Sequence, residues 1–190
     1  MVKVAVFASG NGSNFEKLVE EQRKNNNSKY SVELLISDKE DAGVLKKGEN
    51  FDITTLFLNP KDYENKSCFE EAIVGILRKK EIEIIALAGY MRIIGDVLLN
   101  NYQNRIINIH PAYLPEFPGK NGIEDAYLSK APKTGVTIHY VDSGIDTGEI
   151  IYQERVIIER DKPLSHLEKT IHRIEHRIYP MVLNKICENL

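Results

Sequence analysis

Three short segments of the sequence carry residue types that could do chemistry. The first, residues 9–14, reads Ser-Gly-Asn-Gly-Ser-Asn and follows an apolar run. Its glycines permit a tight turn, and the N–H groups at the start of a following helix can surround an anion. The spacing matches neither the dinucleotide motif G-x-G-x-x-G nor a Walker loop. The segment is therefore a candidate phosphate site, and the alternative is an ordinary strand-to-helix turn capped by Ser13 or Asn14.

The second segment, Asn-Ile-His-Pro at residues 108–111, lies at the carboxyl end of a predicted strand. Open α/β sheets bind ligands just outside the carboxyl ends of their strands. Because side chains alternate along a strand, Asn108 and His110 point to the same side and can reach one reacting atom. An amide donor beside an imidazole is what a developing oxyanion needs. The alternative is a histidine that is merely hydrogen-bonded in a loop.

The third segment, residues 142–148, contributes two carboxylates, Asp142 and Asp146. A carboxylate close to an imidazole favours the imidazolium and raises its pKa. We therefore expect such a contact to make His110 a general acid near neutral pH. The alternative is that these Asp and Gly residues serve only as turn residues.

The rest of the sequence predicts the elements that position these segments. Short apolar runs alternate with amphipathic stretches, which indicates βαβ units around a parallel sheet. Strands are predicted at residues 2–8, 32–37, 53–58, 83–88, 106–109, 134–141 and 149–158, the last two as an antiparallel pair. Helices are predicted at residues 15–24, 42–47, 63–80, 96–100 and 163–187.

Prolines mark the irregular parts of this pattern. Pro163 should occupy the first turn of the last helix, and Pro180 should kink or split that helix. Residues 110–122 hold three prolines and two glycines, so they should form a shaped loop without a helix. We predict one α/β domain over residues 1–190, with an open, mostly parallel sheet of about seven strands flanked by helices.

Composition and charge restrict the class of function. The chain has 190 residues, 42% hydrophobic and 28% charged, which fits one soluble domain. A net charge of −3 gives no general attraction to nucleic acid or anionic membrane, and no apolar run approaches the roughly 20 residues of a membrane span. Cys68 and Cys187 form no motif, which is typical of a reducing compartment. We expect a cytoplasmic protein without a nucleic-acid or membrane partner.

The three segments occur together, in this order, in the folate-dependent formyltransferases, which the chain resembles from residue 9 to residue 180. The resemblance also rests on residues 87–94 (Leu-Ala-Gly-Tyr-Met-Arg-Ile-Ile), 114–119 (Leu-Pro-Glu-Phe-Pro-Gly), 135–141 (Gly-Val-Thr-Ile-His-Tyr-Val) and 175–180 (Glu-His-Arg-Ile-Tyr-Pro). It is closest for the members that formylate glycinamide ribonucleotide. It implies a Rossmann-like formyltransferase fold and transfer of a formyl group from 10-formyltetrahydrofolate to the amine of that nucleotide, a step of purine biosynthesis.

Carried over position by position, the resemblance implies roles for individual residues. The catalytic set would be Asn108, His110 and Asp146. The ribose and phosphate of the acceptor would meet Gly12, Ser13, Asn14 and Glu175. The reduced folate would be bound by Lys66, Met91, Arg92, Ile93, Ile94, Asn108, Asp142, Ser143, Gly144, Ile145 and Asp146. The resemblance implies no metal, and the enzyme would be a monomer or a homodimer.

The resemblance also implies a mechanism. The amine attacks the formyl carbon, Asn108 and protonated His110 stabilise the oxyanion, and Asp146 keeps the imidazole charged and oriented. A proton then passes to the departing folate nitrogen through water. Lys66 stands where many relatives carry an arginine, so it keeps the charge without the bidentate fork. Residues 120–123 and 172–174 depart from the family pattern.

Several other functions compete with this one. His172-Arg-Ile-Glu-His176 matches the zinc motif H-x-x-E-H, but only 14 residues follow it in which a third ligand could lie. Hydrolysis of the same folate is typical of relatives with an additional N-terminal domain, which we do not expect because the first strand begins at Val2. Formylation of methionyl-tRNA normally needs a further C-terminal domain and a basic surface. A non-catalytic ligand-binding module on the same fold is the fourth possibility.

Overall fold

One sheet of seven strands forms the centre of the molecule. The computed structural model describes residues 1–190. The strands are β1 (Val2–Phe7), β2 (Tyr30–Ser37), β3 (Thr54–Phe57), β4 (Ile84–Leu87), β5 (Ile106–His110), β6 (Lys133–Tyr140) and β7 (Ile150–Ile157). The helices are α1 (Ser13–Lys24), α2 (Gly43–Asn50), α3 (Lys66–Lys79), α4 (Asp96–Asn101), α5 (Gly122–Leu128) and α6 (Leu164–Glu188). None of these helices combines the length and the apolar character that a membrane crossing requires.

The strand order is β3-β2-β1-β4-β5-β6-β7, with β1 to β5 parallel and β6 and β7 antiparallel to their neighbours. The predicted fold class, including the antiparallel pair, is therefore confirmed. The order reverses direction beside β1, because β2 lies on one side of it and β4 on the other. Such a reversal leaves a crevice outside the carboxyl ends of the strands. Residues 9–14 follow the parallel strand β1 and residues 108–111 lie at the end of the parallel strand β5 at this edge, whereas residues 142–148 follow the antiparallel strand β6 and reach His110 through Asp146.

The alternation of β1 divides the core into two layers. Val4 and Val6 pack into the cluster that contains the buried residues of α1 and α6. Ala5 and Phe7 pack into a second cluster, under α3 and α4. All four side chains are fully buried, as expected of a parallel strand covered on both faces. Burial of both faces holds the carboxyl end of β1 in place.

The structure corrects the prediction for the last helix. α6 runs without a break from Leu164 to Glu188, so Pro180 does not split it, and Pro163 precedes the helix as its cap. Pro180 removes only the hydrogen bond that an N–H would donate to the carbonyl of His176. The helix buries residues on both sides of the proline against α1 and the sheet, and this packing outweighs the loss.

Two further helix predictions were wrong in part. α3 begins at Lys66 rather than at residue 63, because the Asn65 side chain accepts a hydrogen bond from Cys68 N–H at 3.0 Å and caps the helix. A single 3₁₀ turn, Pro60–Asp62, precedes it. Residues 110–122 were predicted to be free of helix, but α5 begins at Gly122. This helix has seven residues and no side-chain cap, so it carries almost no local signal.

Tyr179 ties α6 to the sheet at the edge that carries the chemical segments. Its hydroxyl donates a hydrogen bond to the carbonyl oxygen of Leu87, at 2.8 Å, and lies 3.4 Å from that of Ile107. The ring is fully buried. Tyr179 therefore fixes the position of α6 along the strands β4 and β5. Glu175 lies one helical turn before it.

Replacement of Tyr179 by Phe should lower the free energy of unfolding by about 1–2 kcal/mol, because the buried carbonyl of Leu87 loses its partner. Urea denaturation at constant m-value would measure this change. Tyr152→Phe is the matched control, since the Tyr152 hydroxyl makes no hydrogen bond within the chain and the change should stay within about 0.5 kcal/mol. Equal effects of the two substitutions would contradict the anchoring role of Tyr179.

Candidate active site

The loop after β1 leaves the start of α1 open. Gly12 precedes the helix with φ 71°, and no side chain caps the helix, so the alternative of a cap by Ser13 or Asn14 is wrong. The first helical bond is donated by Glu16 N–H, so the N–H groups of the three preceding residues have no intrahelical acceptor. A Cβ at position 12 would lie 2.2 Å from Val44 Cγ2, so this position requires glycine. This geometry suits an anion.

Glu175 lies beside this loop. Its carboxylate is 5% exposed and accepts one long hydrogen bond from Asn14 Nδ2, at 3.4 Å. Burial raises the pKa of Glu175 to about 7, against the opposing effect of the Asn14 hydrogen bond. Asn14 Oδ1 is also buried and has no partner in the chain. Two predicted acceptor-site residues thus form a partly buried pair with unused hydrogen-bonding capacity.

Asp146 lies between two histidines at the opposite side of the crevice. Its Oδ2 is 3.4 Å from His110 Nδ1, and its Oδ1 is 3.5 Å from His139 Nε2. Gly119 N–H donates a hydrogen bond to Asp146 Oδ2 at 2.8 Å. Asn108 Nδ2 is 3.2 Å from His139 Nε2. The structure therefore places Asn108, His110 and Asp146 in one cluster.

The sequence interpretation gave no role to His139. This residue lies on β6 directly opposite Asn108 on β5, which puts the two side chains on the same face of the antiparallel pair. Its Nδ1–H donates to the carbonyl of Tyr140 at 2.8 Å, and the ring is 2% exposed. A histidine in the apolar strand of residues 135–141 was a usable signal, but its partner depends on the register of β5 and β6.

The protonation of His110 follows from its two neighbours. A carbonyl oxygen can only accept, so the 2.8 Å contact with Phe117 O places a proton on Nε2 and turns Nδ1 toward Asp146. Burial lowers the pKa of His110, although the Phe117 hydrogen bond and the charge of Asp146 both act to raise it. The expected net rise of this pKa was therefore wrong, because desolvation of a ring that is 3% exposed exceeds the attraction.

Asp146 itself stays ionised. Burial opposes its charge, but contacts with His139, with Gly119 N–H and with His110 hold the pKa of this carboxyl below its usual range. The residue has φ 54°, a left-handed conformation that Asp adopts more readily than most side chains. The cluster therefore combines a fixed negative charge with a neutral imidazole at pH 7.

Residues 91–95, which we call the wall segment, border the crevice after β4. Met91 and Ile93 expose about half of their side-chain surface, whereas Ile94 is buried. Residues 91–94 make no backbone–backbone hydrogen bond. Apolar side chains and free main-chain groups are what a flat heteroaromatic ligand contacts.

Two cations lie near the wall segment. Arg92 stacks its guanidinium 5.5 Å from the centre of the Phe69 ring on α3. Lys66, at the start of the same helix, has its Nζ 4.0 Å from the carboxylate of Glu70 and remains half exposed. Both side chains are accessible to solvent.

The loop that joins β6 and β7 folds back on itself. Asp142 Oδ1 accepts hydrogen bonds from Gly144 N–H at 3.0 Å and from the Thr147 hydroxyl at 2.7 Å. Ser143, Gly144 and Ile145 are exposed. Asp142 therefore shapes this loop, and Asp146 is its one member that reaches the histidines.

The residues of the zinc motif separate in the structure. Glu175 contacts Asn14, whereas the rings of His172 and His176 stack on each other 6.4 Å apart. No group of three or more His, Cys, Asp or Glu side chains is placed so that it could hold a metal ion. The motif is thus a coincidence of helical spacing, with its glutamate on a different face from its histidines.

Comparison with known proteins identifies the family of this chain. The formyl transferase family model matches residues 2–183. The phosphoribosylglycinamide formyltransferase of Bacillus subtilis is 48% identical over 98% of this chain and 95% of its own length. The human trifunctional purine biosynthetic protein adenosine-3 is 36% identical over 97% of this chain, which spans 18% of that protein. The crystal structure of glycinamide ribonucleotide transformylase 1 from Geobacillus kaustophilus matches with a TM-score of 0.95 at 43% identity, over 98% of this chain and 99% of that chain.

These matches extend over the whole of the sheet and include every segment on which the resemblance was based. They confirm the family that those segments indicated. The chain therefore belongs to the formyl transferase family, alongside the phosphoribosylglycinamide formyltransferases.

Proposed function

We propose that this chain transfers the formyl group of 10-formyltetrahydrofolate to the amine of 5-phosphoribosylglycinamide (glycinamide ribonucleotide). The observation that carries the proposal is the cluster of Asn108, His110 and Asp146 between an open helix start and the wall segment. The open helix start suits the phosphate of the acceptor, and the wall segment suits the folate ring. The cluster between them suits the formyl carbon that is transferred.

The acceptor would bind at the loop after β1. Its phosphate would receive hydrogen bonds from the open N–H groups of Ser13 and Asn14, with Gly12 allowing the turn. Glu175 would accept from a ribose hydroxyl or from the amine, which would give its carboxylate a second partner beside Asn14. Each of these groups has hydrogen-bonding capacity that the chain itself leaves unused.

The donor would bind along the wall segment. The pteridine ring carries several donors and acceptors on one edge, which the free main-chain groups of residues 92–94 and the Met91 carbonyl would meet. Met91 and Ile93 would contact the ring faces, and the exposed loop of Asp142, Ser143, Gly144 and Ile145 would cover the other side. Lys66 and Arg92 would attract the carboxylates of the glutamate tail. The donor thus fits the residues present.

Asn108 and His110 would act on the tetrahedral intermediate. Attack of the amine on the formyl carbon leaves negative charge on the formyl oxygen and positive charge on the nitrogen. The Asn108 amide has two N–H donors, and its contact with His139 orients it, so one donor remains for the oxyanion. Because His110 is neutral in the free chain, its Nδ1 can take the proton from the new ammonium.

Asp146 would stabilise the imidazolium that forms in this step. Its Oδ2 lies 3.4 Å from Nδ1, the nitrogen that gains the proton. The protonated ring then faces the oxyanion with opposite charge, and its proton can pass to the departing folate nitrogen through water as the C–N bond breaks. The imidazolium of the implied mechanism is thus a state reached during the reaction rather than before it.

The proposal includes several broader statements. We propose that residues 1–190 act as one domain in the cytoplasm, as a monomer or homodimer, with small molecules as the only substrates. No metal takes part in the proposed steps, because the formyl donor is already activated and needs only positioning and charge stabilisation.

A direct assay would test the reaction. Purified protein should deformylate 10-formyltetrahydrofolate only when glycinamide ribonucleotide is present, and mass spectrometry should detect the formylated nucleotide. Deformylation without the nucleotide would indicate hydrolysis of the folate instead. Absence of turnover with both substrates would contradict the proposal and favour a binding module.

Asp146→Asn should slow transfer by about a hundredfold or more, because the imidazolium loses its counter-charge. It should also lower the pKa of His110 further, since the charge of Asp146 acts to raise that pKa. The acidic limb of the kcat/KM profile should therefore move to lower pH, and NMR titration of the His110 ring should show the same shift. Asp125→Asn, an exposed change on α5, is the control. Full activity of Asp146→Asn at every pH would refute the role of Asp146.

Glu175→Gln should stabilise the protein at pH 8 and leave its stability at pH 4.5 unchanged. The folded pKa of about 7 exceeds the ordinary 4.5, so the folded state holds this proton more tightly and its stability declines as pH rises from 4.5 through about 7. The difference is on the order of 3 kcal/mol. Thermal unfolding across this range would measure it.

The same variant should bind the nucleotide more weakly, which would show as a higher KM for glycinamide ribonucleotide. Glu21→Gln, an exposed change on α1, is the matched control and should alter neither quantity. An unchanged pH dependence of stability in Glu175→Gln would show that Glu175 is ionised at no cost in the folded protein.

A further inference from the structure

Two side chains hold the ends of the wall segment, whose residues 91–94 make no backbone–backbone hydrogen bond and whose Gly95 carbonyl accepts one from Leu99 N–H at 3.0 Å. At its start, Met91 N–H donates to the Ser9 hydroxyl oxygen at 3.0 Å. At its end, Gly95 N–H donates to Glu70 Oε1 at 2.6 Å. The residues between them make no backbone–backbone hydrogen bond. Their main-chain groups remain free for a ligand, but their position depends on Ser9 and Glu70.

Ser9 is itself held by a buried carboxyl group. Its hydroxyl donates to Asp38 Oδ1 at 2.5 Å, and Asp38 is 8% exposed at the end of β2. Because the single hydroxyl proton points to Asp38, a lone pair of the same oxygen is free to accept from Met91 N–H. In dinucleotide-binding sheets an acidic residue after the second strand meets a ribose. Here Asp38 is engaged with Ser9 instead.

Glu70 holds the other end with both of its oxygens. Its Oε1 accepts from Gly95 N–H, and its Oε2 accepts from Leu98 N–H at 3.3 Å. The side chain is 3% exposed although it projects from α3 near the surface of the molecule. A Cβ at position 95 would lie 2.7 Å from Glu70 Oε1. Only glycine at this position therefore lets the wall segment approach the carboxylate so closely.

We propose that Ser9 and Glu70 are positioning residues for the formyl donor. Neither touches a substrate; together they hold the wall segment at a fixed distance from Asn108 and His110. The inference depends on the proposed function, because it takes the wall segment to be the donor site.

Ser9→Ala and Glu70→Ala should share one kinetic signature, although they lie at opposite ends of the wall segment. Each should raise the KM for 10-formyltetrahydrofolate about tenfold, as expected for one lost hydrogen bond to a positioned group. The kcat should change less than about threefold, and the KM for glycinamide ribonucleotide should remain at the wild-type value. Calorimetric titration with 10-formyltetrahydrofolate alone should show the same rise in Kd.

Conservative variants separate positioning from folding. Ser9→Thr keeps the hydroxyl and should restore the wild-type donor KM, and Glu70→Gln keeps an acceptor oxygen and should fall between wild type and Glu70→Ala. Glu71→Gln changes the neighbouring carboxylate, which is exposed on α3, and should have no effect. These variants keep the inference testable should Glu70→Ala fail to fold.

Three outcomes would overturn the inference. The first is an unchanged donor KM and Kd in Ser9→Ala and Glu70→Ala. The second is a parallel rise of both KM values together with a lower melting temperature. The third is a donor KM in Ser9→Thr as high as that in Ser9→Ala. Suppose that the wild-type protein binds the folate, that the variants show the expected rise in Kd, and that no formyl group is transferred. This result would support the inference and reject the proposed reaction. Wild-type protein that neither binds the folate nor turns over would reject both.

Discussion

The buried carboxylate of Asp146 connects the separate parts of the candidate active site. It contacts His110 from β5 and His139 from β6, and it accepts the N–H of Gly119 from the loop that follows β5. A carboxylate in a mostly buried place needs such partners, because an unpaired charge there would protonate instead. The loops around the reactive cluster are therefore placed by the need to satisfy one charge. The same negative charge would stabilise the imidazolium that the proposed reaction forms.

Desolvation sets the resting state of this site. The surroundings of His110 include one carboxylate and one carbonyl that favour its protonation, yet burial prevails and the ring is neutral at pH 7. A neutral imidazole with an unprotonated Nδ1 beside Asp146 can accept a proton, whereas an imidazolium could not. The geometry therefore provides a base in the free protein and an electrostatic stabiliser once the proton has moved.

The pair of Glu175 and Asn14, proposed to bind the acceptor, carries a cost in stability that a ligand would offset. Glu175 is buried with a single long hydrogen bond, and Asn14 Oδ1 is buried without a partner. Such groups lower the free energy of unfolding in the absence of ligand. Helix α6 tolerates them because its apolar face and the Tyr179 hydroxyl hold it against the sheet. Stability and binding thus depend on neighbouring turns of one helix.

The sequence alone determined the fold class and indicated the three residues that the structure brings together around Asp146. Apolar runs of strand length, separated by amphipathic stretches, predict a parallel sheet because burial on both faces leaves no other pattern. Asn108 and His110 share a face by simple alternation, and the family resemblance supplied Asp146. Local signals were weakest where they were short, which is why α5 and the start of α3 were misplaced.

Only the tertiary structure decided the partners, the charges and the anchors. His139 meets Asn108 because of the register between β5 and β6, which alternation within one strand does not specify. The lowered pKa of His110 depends on how completely its ring is desolvated, a quantity that no motif encodes. Ser9 and Glu70 reach the wall segment over 82 and 25 residues of chain. Such contacts depend on packing between distant elements, and therefore appear only when the chain is folded.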